Sequence, residues 1–139
     1  MSWLNGRSPA GCAHYPPSMQ IARRSELKPY VTRDGSEIRE WVAPGTPGRR
    51  QSLAEATVPA GGSTLAHFHR ASEEVYLVTS GSGRMLLGYA TRQIAAGDCV
   101  VIPPGTVHRL WADAETPLVV VCSCVPPYSH EDTFLVEEA

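Results

Sequence analysis

Three histidines and one glutamate carry the clearest chemistry in this sequence. His67 and His69 flank Phe68, Glu74 follows, and His108 comes shortly after Pro103-Pro104-Gly105. Imidazole nitrogen and carboxylate oxygen are good donors to Fe, Mn, Ni, Zn or Cu and suit Ca or Mg less well. The cysteines show no C-x-x-C pair, and the set itself contains no thiolate, which argues against a closed structural zinc site. Four such ligands on a six-coordinate ion would leave two positions for water, substrate or dioxygen. The expected cofactor is therefore one divalent transition metal ion.

Strand geometry is what would bring these side chains together. In a strand, residues i and i+2 share a face and stand roughly 6–7 Å apart. Thr64 to His69 reads as such a strand and presents the two imidazoles side by side. Glu74 opens the next strand with Tyr76 and Val78 on its face, and it completes a cluster if the two strands are neighbours. Glu73 is a rival ligand, but the alternation points it the other way. Pro104-Gly105 fits a type II turn, with glycine at the position that needs positive φ, and the turn delivers His108 from a different strand. Two further residues are candidates for catalysis. Tyr76 would line the pocket or donate a proton, its blander role being a core aromatic. Glu55, in the small apolar stretch Leu53-Ala54-Glu55-Ala56-Thr57, would orient a ligand imidazole or act as a base, or else be an outward-facing charge. Arg109 and Trp111 belong to the barrel mouth or its outside. His130, Glu131 and Asp132 form either a rim cluster or a solvated turn, and His14 receives no role.

The chain-wide pattern is that of many short strands. Tyr30–Thr32, Glu37–Val42, Gln51–Val58, Glu74–Thr79, Arg84–Tyr89, Cys99–Ile102, His108–Ala112 and Leu118–Val125 are separated by Gly, Pro and Asp turn signals such as Asp34-Gly35, Pro44-Gly45 and Pro47-Gly48. No long stretch has helical apolar periodicity. Residues 1–28, broken by Gly and Pro, read as an N-terminal arm, and residues 29–139 as a single all-β barrel domain. A length of 139 residues with 42% apolar and 19% charged content supports one core. The formal charge of −2 argues against nucleic acid or an anionic membrane as partner. No apolar run is long enough to span a bilayer. The N-terminus lacks the basic-then-apolar pattern of a secretory signal, Arg23-Arg24 has no apolar run after it, and a cytoplasmic location is expected. Cys99, Cys122 and Cys124 lie in apolar runs and read as reduced core thiols, the last two sharing a strand face that could point towards the site. Cys12 lies in the arm.

The spacing of these residues resembles two sequence motifs of one family. Gly61, His67-x-His69, Glu74 and Gly81 resemble the first motif of the cupin superfamily, and Gly97, Pro103-x-Gly105 and His108 resemble its second. The second motif often ends in Asn where this chain has Ala112. The resemblance is to small single-domain cupins. It implies an all-β double-stranded β-helix, or jelly-roll, barrel in which His67, His69, Glu74 and His108 hold one metal ion. It also implies an enzyme acting on a small polar metabolite, either a dioxygenase or a Lewis-acid isomerase, epimerase, cyclase or lyase. The alternative is a non-catalytic barrel that binds a small molecule. A homodimer, with the arm crossing its interface, is the expected assembly.

Overall fold

A computed structural model of the protein describes residues 19–43 and 50–137. Most of the expected arm, including Cys12 and His14, and the Pro44-Gly45 and Pro47-Gly48 turns lie outside the described residues. The strands are β1 (Tyr30–Val31), β2 (Glu37–Val42), β3 (Ser52–Val58), β4 (His67–His69), β5 (Glu73–Ser80), β6 (Ser82–Leu87), β7 (Ala90–Ala95), β8 (Cys99–Ile102), β9 (His108–Ala112), β10 (Leu118–Val125) and β11 (Thr133–Leu135). They form a six-stranded sheet in the order β1-β2-β3-β10-β5-β8 and a five-stranded sheet in the order β11-β4-β9-β6-β7. Every strand pairing is antiparallel.

Side-chain alternation decides which residues face the interior. Along β9, His108, Leu110 and Ala112 are buried while Arg109 and Trp111 are half-exposed. On β5, Glu74, Tyr76 and Val78 turn inward and Glu73 outward, as the sequence pattern predicts. The apolar core between the sheets includes Val58, Val78, Ile102, Leu110, Leu118 and Val120. Ile38, Ala56 and Tyr76 of the same core also line the cavity that holds His67, His69 and Glu74.

Two glycines hold turns that few other residues could make. Gly81 has φ +79°, and a Cβ placed there would lie 1.9 Å from the carbonyl oxygen of Pro117. Gly105 has φ +77°, and the amide of Thr106 donates to the oxygen of Pro103 at 3.3 Å. This is the type II turn expected before His108. The same turn is tied to the site, because Gly105 N–H donates to the carbonyl of His69 at 2.6 Å.

Three expectations need correction. The strand expected from Thr64 begins only at His67. The strands β4 and β5 are not neighbours but belong to opposite sheets, so Glu74 meets the histidines across the barrel. Cys99 is exposed rather than a core thiol. Of the arm, the described part includes a 3₁₀ turn at Arg24–Glu26.

Candidate metal centre

The histidines come from paired strands. His67 on β4 lies directly opposite His108 on β9 in antiparallel register, and His69 follows two residues along on the same face. Glu74 approaches from the facing sheet. One donor atom from each of His67, His69, Glu74 and His108 can be chosen so that all four lie within 4.8 Å of one another. All four residues are buried, and His108 is wholly so.

Hydrogen bonds behind the rings set their protonation. His67 Nδ1 lies 2.8 Å from the carbonyl oxygen of Leu65, and His108 Nδ1 lies 2.9 Å from that of Thr106. A carbonyl only accepts, so both Nδ1 atoms must carry the proton. The Thr133 hydroxyl donates to Ser129 O at 2.8 Å and so is left to accept from His69 Nδ1 at 3.3 Å. Each neutral imidazole thus turns a lone pair on Nε2 into the cavity, which is the tautomer a metal requires. Glu74 is oriented in the same way. Cys124 Sγ donates to its Oε2 at 2.9 Å, and Oε1 lies 3.2 Å from His108 Nε2 and 3.6 Å from His69 Nε2.

These donors fit a cation. Glu74 Oε1 and His108 Nε2 are buried and have no hydrogen-bond partner, which is costly for polar atoms out of water. A proton shared between them would serve that pair alone. One metal ion would serve all four ligands. The electrostatics agree: burial would raise the Glu74 carboxyl, but His108 and His69 outweigh it and hold it well below the usual range. Burial, reinforced by the unfavourable electrostatics of placing a second charged imidazole beside His108, pushes His67 down towards its neutral form. Burial also opposes charging of His69, yet Glu74 and Asp132 raise it, so a proton competes with metal most strongly there.

The surrounding cavity leaves ≈ 50 Å³ for the centres of water-sized molecules, several times the minimum of about 10–15 Å³ that one water needs. Tyr76 lines it, with its ring edge-on to His108 at 5.8 Å between centroids. Burial, followed by the Glu74 charge, raises the Tyr76 phenol far above its ordinary value, so it stays protonated. Cys122 and Cys124 also line the cavity. Glu55, in contrast, is not among the lining residues. It sits at the intervening β3 position between Ala54 and Ala56, which do line the cavity, and it chelates Arg24 of the arm through contacts of 2.7–3.0 Å. Arg109 and Trp111 cover the outside of the barrel, where Arg84 and Arg109 stack on the indole. Asp132 is committed to the turn after β4, accepting from the amides of Arg70, Ala71 and Ser72. His130 pairs with the Tyr128 hydroxyl.

One residue of the site escaped sequence reading. Asp34 Oδ2 lies 3.7 Å from His67 Nε2. Asp34-Gly35 carried only a turn signal in the sequence, and the turn is real: Gly35 N–H donates to Thr32 O at 3.0 Å. What places it at the site is Leu65 N–H, which donates to the Asp34 carbonyl at 2.7 Å. That contact joins segments far apart in sequence, and no local pattern signals it.

Comparison with known proteins decides the family. The Cupin domain family pattern matches residues 54–124. The chain belongs to the cupin family. This cupin is 46% identical over 113 residues to the Methanocaldococcus jannaschii protein MJ1618, across 81% of this chain and 90% of that one. It is 30% identical over 88 residues to mannose-1-phosphate guanylyltransferase RfbM of Salmonella typhimurium, covering 63% of this chain but 18% of that protein. Among solved structures it resembles the polyketide cyclase RemF of Streptomyces resistomycificus, with TM-score 0.75, 22% identity and 88% of each chain covered. It also resembles the nucleoside dehydratase Pac13 of Streptomyces, with TM-score 0.69, 19% identity, and 86% of this chain and 92% of that one covered. At these identities the structural likeness carries the fold alone. Among the described residues no helix is long and apolar enough to cross a membrane.

Proposed function

We propose that this cupin is a metal-dependent enzyme that moves a proton on a small polar molecule, in an isomerisation, cyclisation or elimination. The observation that carries the reading is the pair of buried, unpartnered acceptors, Glu74 Oε1 and His108 Nε2, at the centre of a ligand set already in the right tautomers. His67, His69, Glu74 and His108 would hold one divalent transition metal ion, which supplies Lewis-acid polarisation of a bound carbonyl or hydroxyl. The chain's own residues do the rest. The barrel wall excludes bulk water, and Tyr76 offers a buried, protonated phenol to a leaving or forming oxygen. Glu55, held by Arg24 away from the cavity, is given no proton-transfer role. The proton-transfer branch is preferred to a dioxygenase because that phenol lines the cavity edge-on to His108; the nucleoside dehydratase and the polyketide cyclase share the fold and do not decide the point. Fold alone does not confer activity.

The test is elemental analysis of untagged protein beside a His67→Ala/His69→Ala control, followed by oxygen uptake and product analysis. About one equivalent of metal, lost in the control, with turnover that consumes no oxygen, is the expected result. Metal-dependent oxygen uptake would make the protein a dioxygenase. Ligand binding without turnover would make it a non-catalytic binding barrel. Absence of metal after reconstitution would overturn the reading altogether.

The assembly we propose is a homodimer in the cytoplasm. What supports the dimer is an apolar outer face on the six-stranded sheet, where Leu77, Val101 and Val125 are exposed. Light scattering that gives one chain's mass, 15.0 kDa, would exclude it.

A further inference from the structure

The cavity wall around Asp34 has a marked chemical bias. Among the described residues, its lining includes Asp34, Glu40 and Glu74 but no lysine or arginine. The nearby Arg33 is spent elsewhere, donating to the carbonyls of His130 and Thr133 at 3.2 and 3.0 Å. A divalent ion on the four ligands would bring two positive charges against three carboxylates. The cavity therefore keeps a net negative character even when loaded, and an anionic guest would enter against it.

Asp34 is also held ready. Its Oδ1 accepts from Thr32 Oγ1 at 2.7 Å, from Ser36 N at 2.9 Å and from Ser36 Oγ at 2.7 Å. These bonds fix the carboxylate and leave Oδ2 facing His67 Nε2 at 3.7 Å, too far for a direct hydrogen bond. Both facing atoms are acceptors when His67 is the neutral tautomer described above. What satisfies such a pair is a donor or a cation placed between or beside them. Further along the same cavity, the Tyr30 hydroxyl donates to Glu40. That bond leaves the second Glu40 oxygen as another acceptor and repeats the bias.

We infer that Asp34 and Glu40 are specificity-determining residues, which select a small neutral polyol and reject hydroxy-acid anions and phosphate esters of the same size. Asp34 Oδ2 accepts a substrate O–H beside His67, and Glu40 accepts a second O–H nearer the Tyr30 end. Asp34 positions the guest and is not counted as a fifth metal ligand, because it falls outside the group whose donor atoms lie within 4.8 Å of one another. The inference rests on the metal reading above. It also runs against the preference of a bare metal ion, which takes a carboxylate more readily than an alcohol.

The test uses the full-length, metal-loaded protein and a matched pair of probes, erythritol and erythronate, which differ only in that one terminal CH₂OH has become a carboxylate. Isothermal titration calorimetry gives both affinities for wild type, Asp34→Asn and Glu40→Gln, with metal content measured on the same samples. Wild type should bind erythritol at least about tenfold more tightly than erythronate, and each variant should narrow that ratio by about three- to tenfold. Glu40→Gln keeps the test available should Asp34→Asn disturb its turn. Loaded wild type that prefers erythronate, binds neither probe at about 10 mM, or keeps its ratio in both variants would overturn the inference and leave the metal reading standing. Wild type that takes up no metal would instead remove the metal reading and this inference with it.

Discussion

Thr133 tests how far single residues set this site. Its hydroxyl donates a hydrogen bond to Ser129 O and accepts one from His69 Nδ1–H, so it holds one imidazole in the tautomer a metal requires. Thr133→Val keeps the volume and removes the acceptor. Metal affinity should fall about tenfold, read by competition with a fluorescent chelator, while the melting temperature of the metal-free protein changes little. Unchanged affinity would mean that the strands and the Asp132 backbone orient His69 without Thr133. Most of the candidate ligand set was legible at this scale. His67 and His69 are two apart, and Glu74 rather than Glu73 shares a face with Tyr76, so parity alone places them inward. Asp34 was not legible, because an Asp-Gly pair looks the same whether its turn faces solvent or docks on Leu65. Glu55 shows the same limit from the other side. Its sequence context left both faces of the sheet open, and its partner Arg24 lies in the arm.

At the scale of elements, turns carry the geometry that strands transmit. Gly81 joins β5 to β6, with a positive φ and with Pro117 O where a Cβ would stand. Gly81→Ala should destabilise the fold by at least about 1–3 kcal/mol in denaturant titration, since strain and clash add. The turn after β4 depends on Asp132, which gathers the amides of Arg70, Ala71 and Ser72. Burial is the largest single influence and opposes its ionisation, but the three amides together outweigh it and lower its pKa below the ordinary 3.8. Its contribution is therefore fully present above about pH 4, the unfolded value, and is lost as pH falls through the lower, folded value. Asp132→Asn should cost about 1 kcal/mol at neutral pH, discounted for exposure, and should flatten the acid limb of the stability curve below pH 4. An unchanged acid limb would assign acid sensitivity to other groups. The pairing of β4 with β9 instead of β5 could not be read locally, since alternation says which face a residue takes but not which strand lies beside it.

For the whole molecule, the site is a weak point that metal should mend. Two sheets close around an apolar core that also buries three imidazoles and a carboxylate, and among these Glu74 Oε1 and His108 Nε2 have no hydrogen-bond partner. Binding of metal to the native state alone stabilises by mass action, by about 2.7 kcal/mol at a hundredfold excess over Kd. Removal of metal with a chelator should lower the melting temperature by several degrees, restored by re-addition, and the His67→Ala/His69→Ala protein should show no such response. A melting temperature indifferent to chelation would place stability wholly in the apolar core. Leu110→Ala should cost about 3 kcal/mol with or without metal, because Leu110 lies in that core.

Local sequence pattern was enough to set the class of the fold, the inward faces of the site strands, the turn before His108 and the donor types of the four candidate ligands. These follow from alternation, turn chemistry and donor identity, all of which act over a few residues. Long-range packing set the rest: Glu74 reaches the histidines from the opposite sheet, Glu55 is held by the arm, and Asp34 faces His67. Those contacts join segments brought together by closure of the barrel around its core, and that closure depends on the whole chain at once.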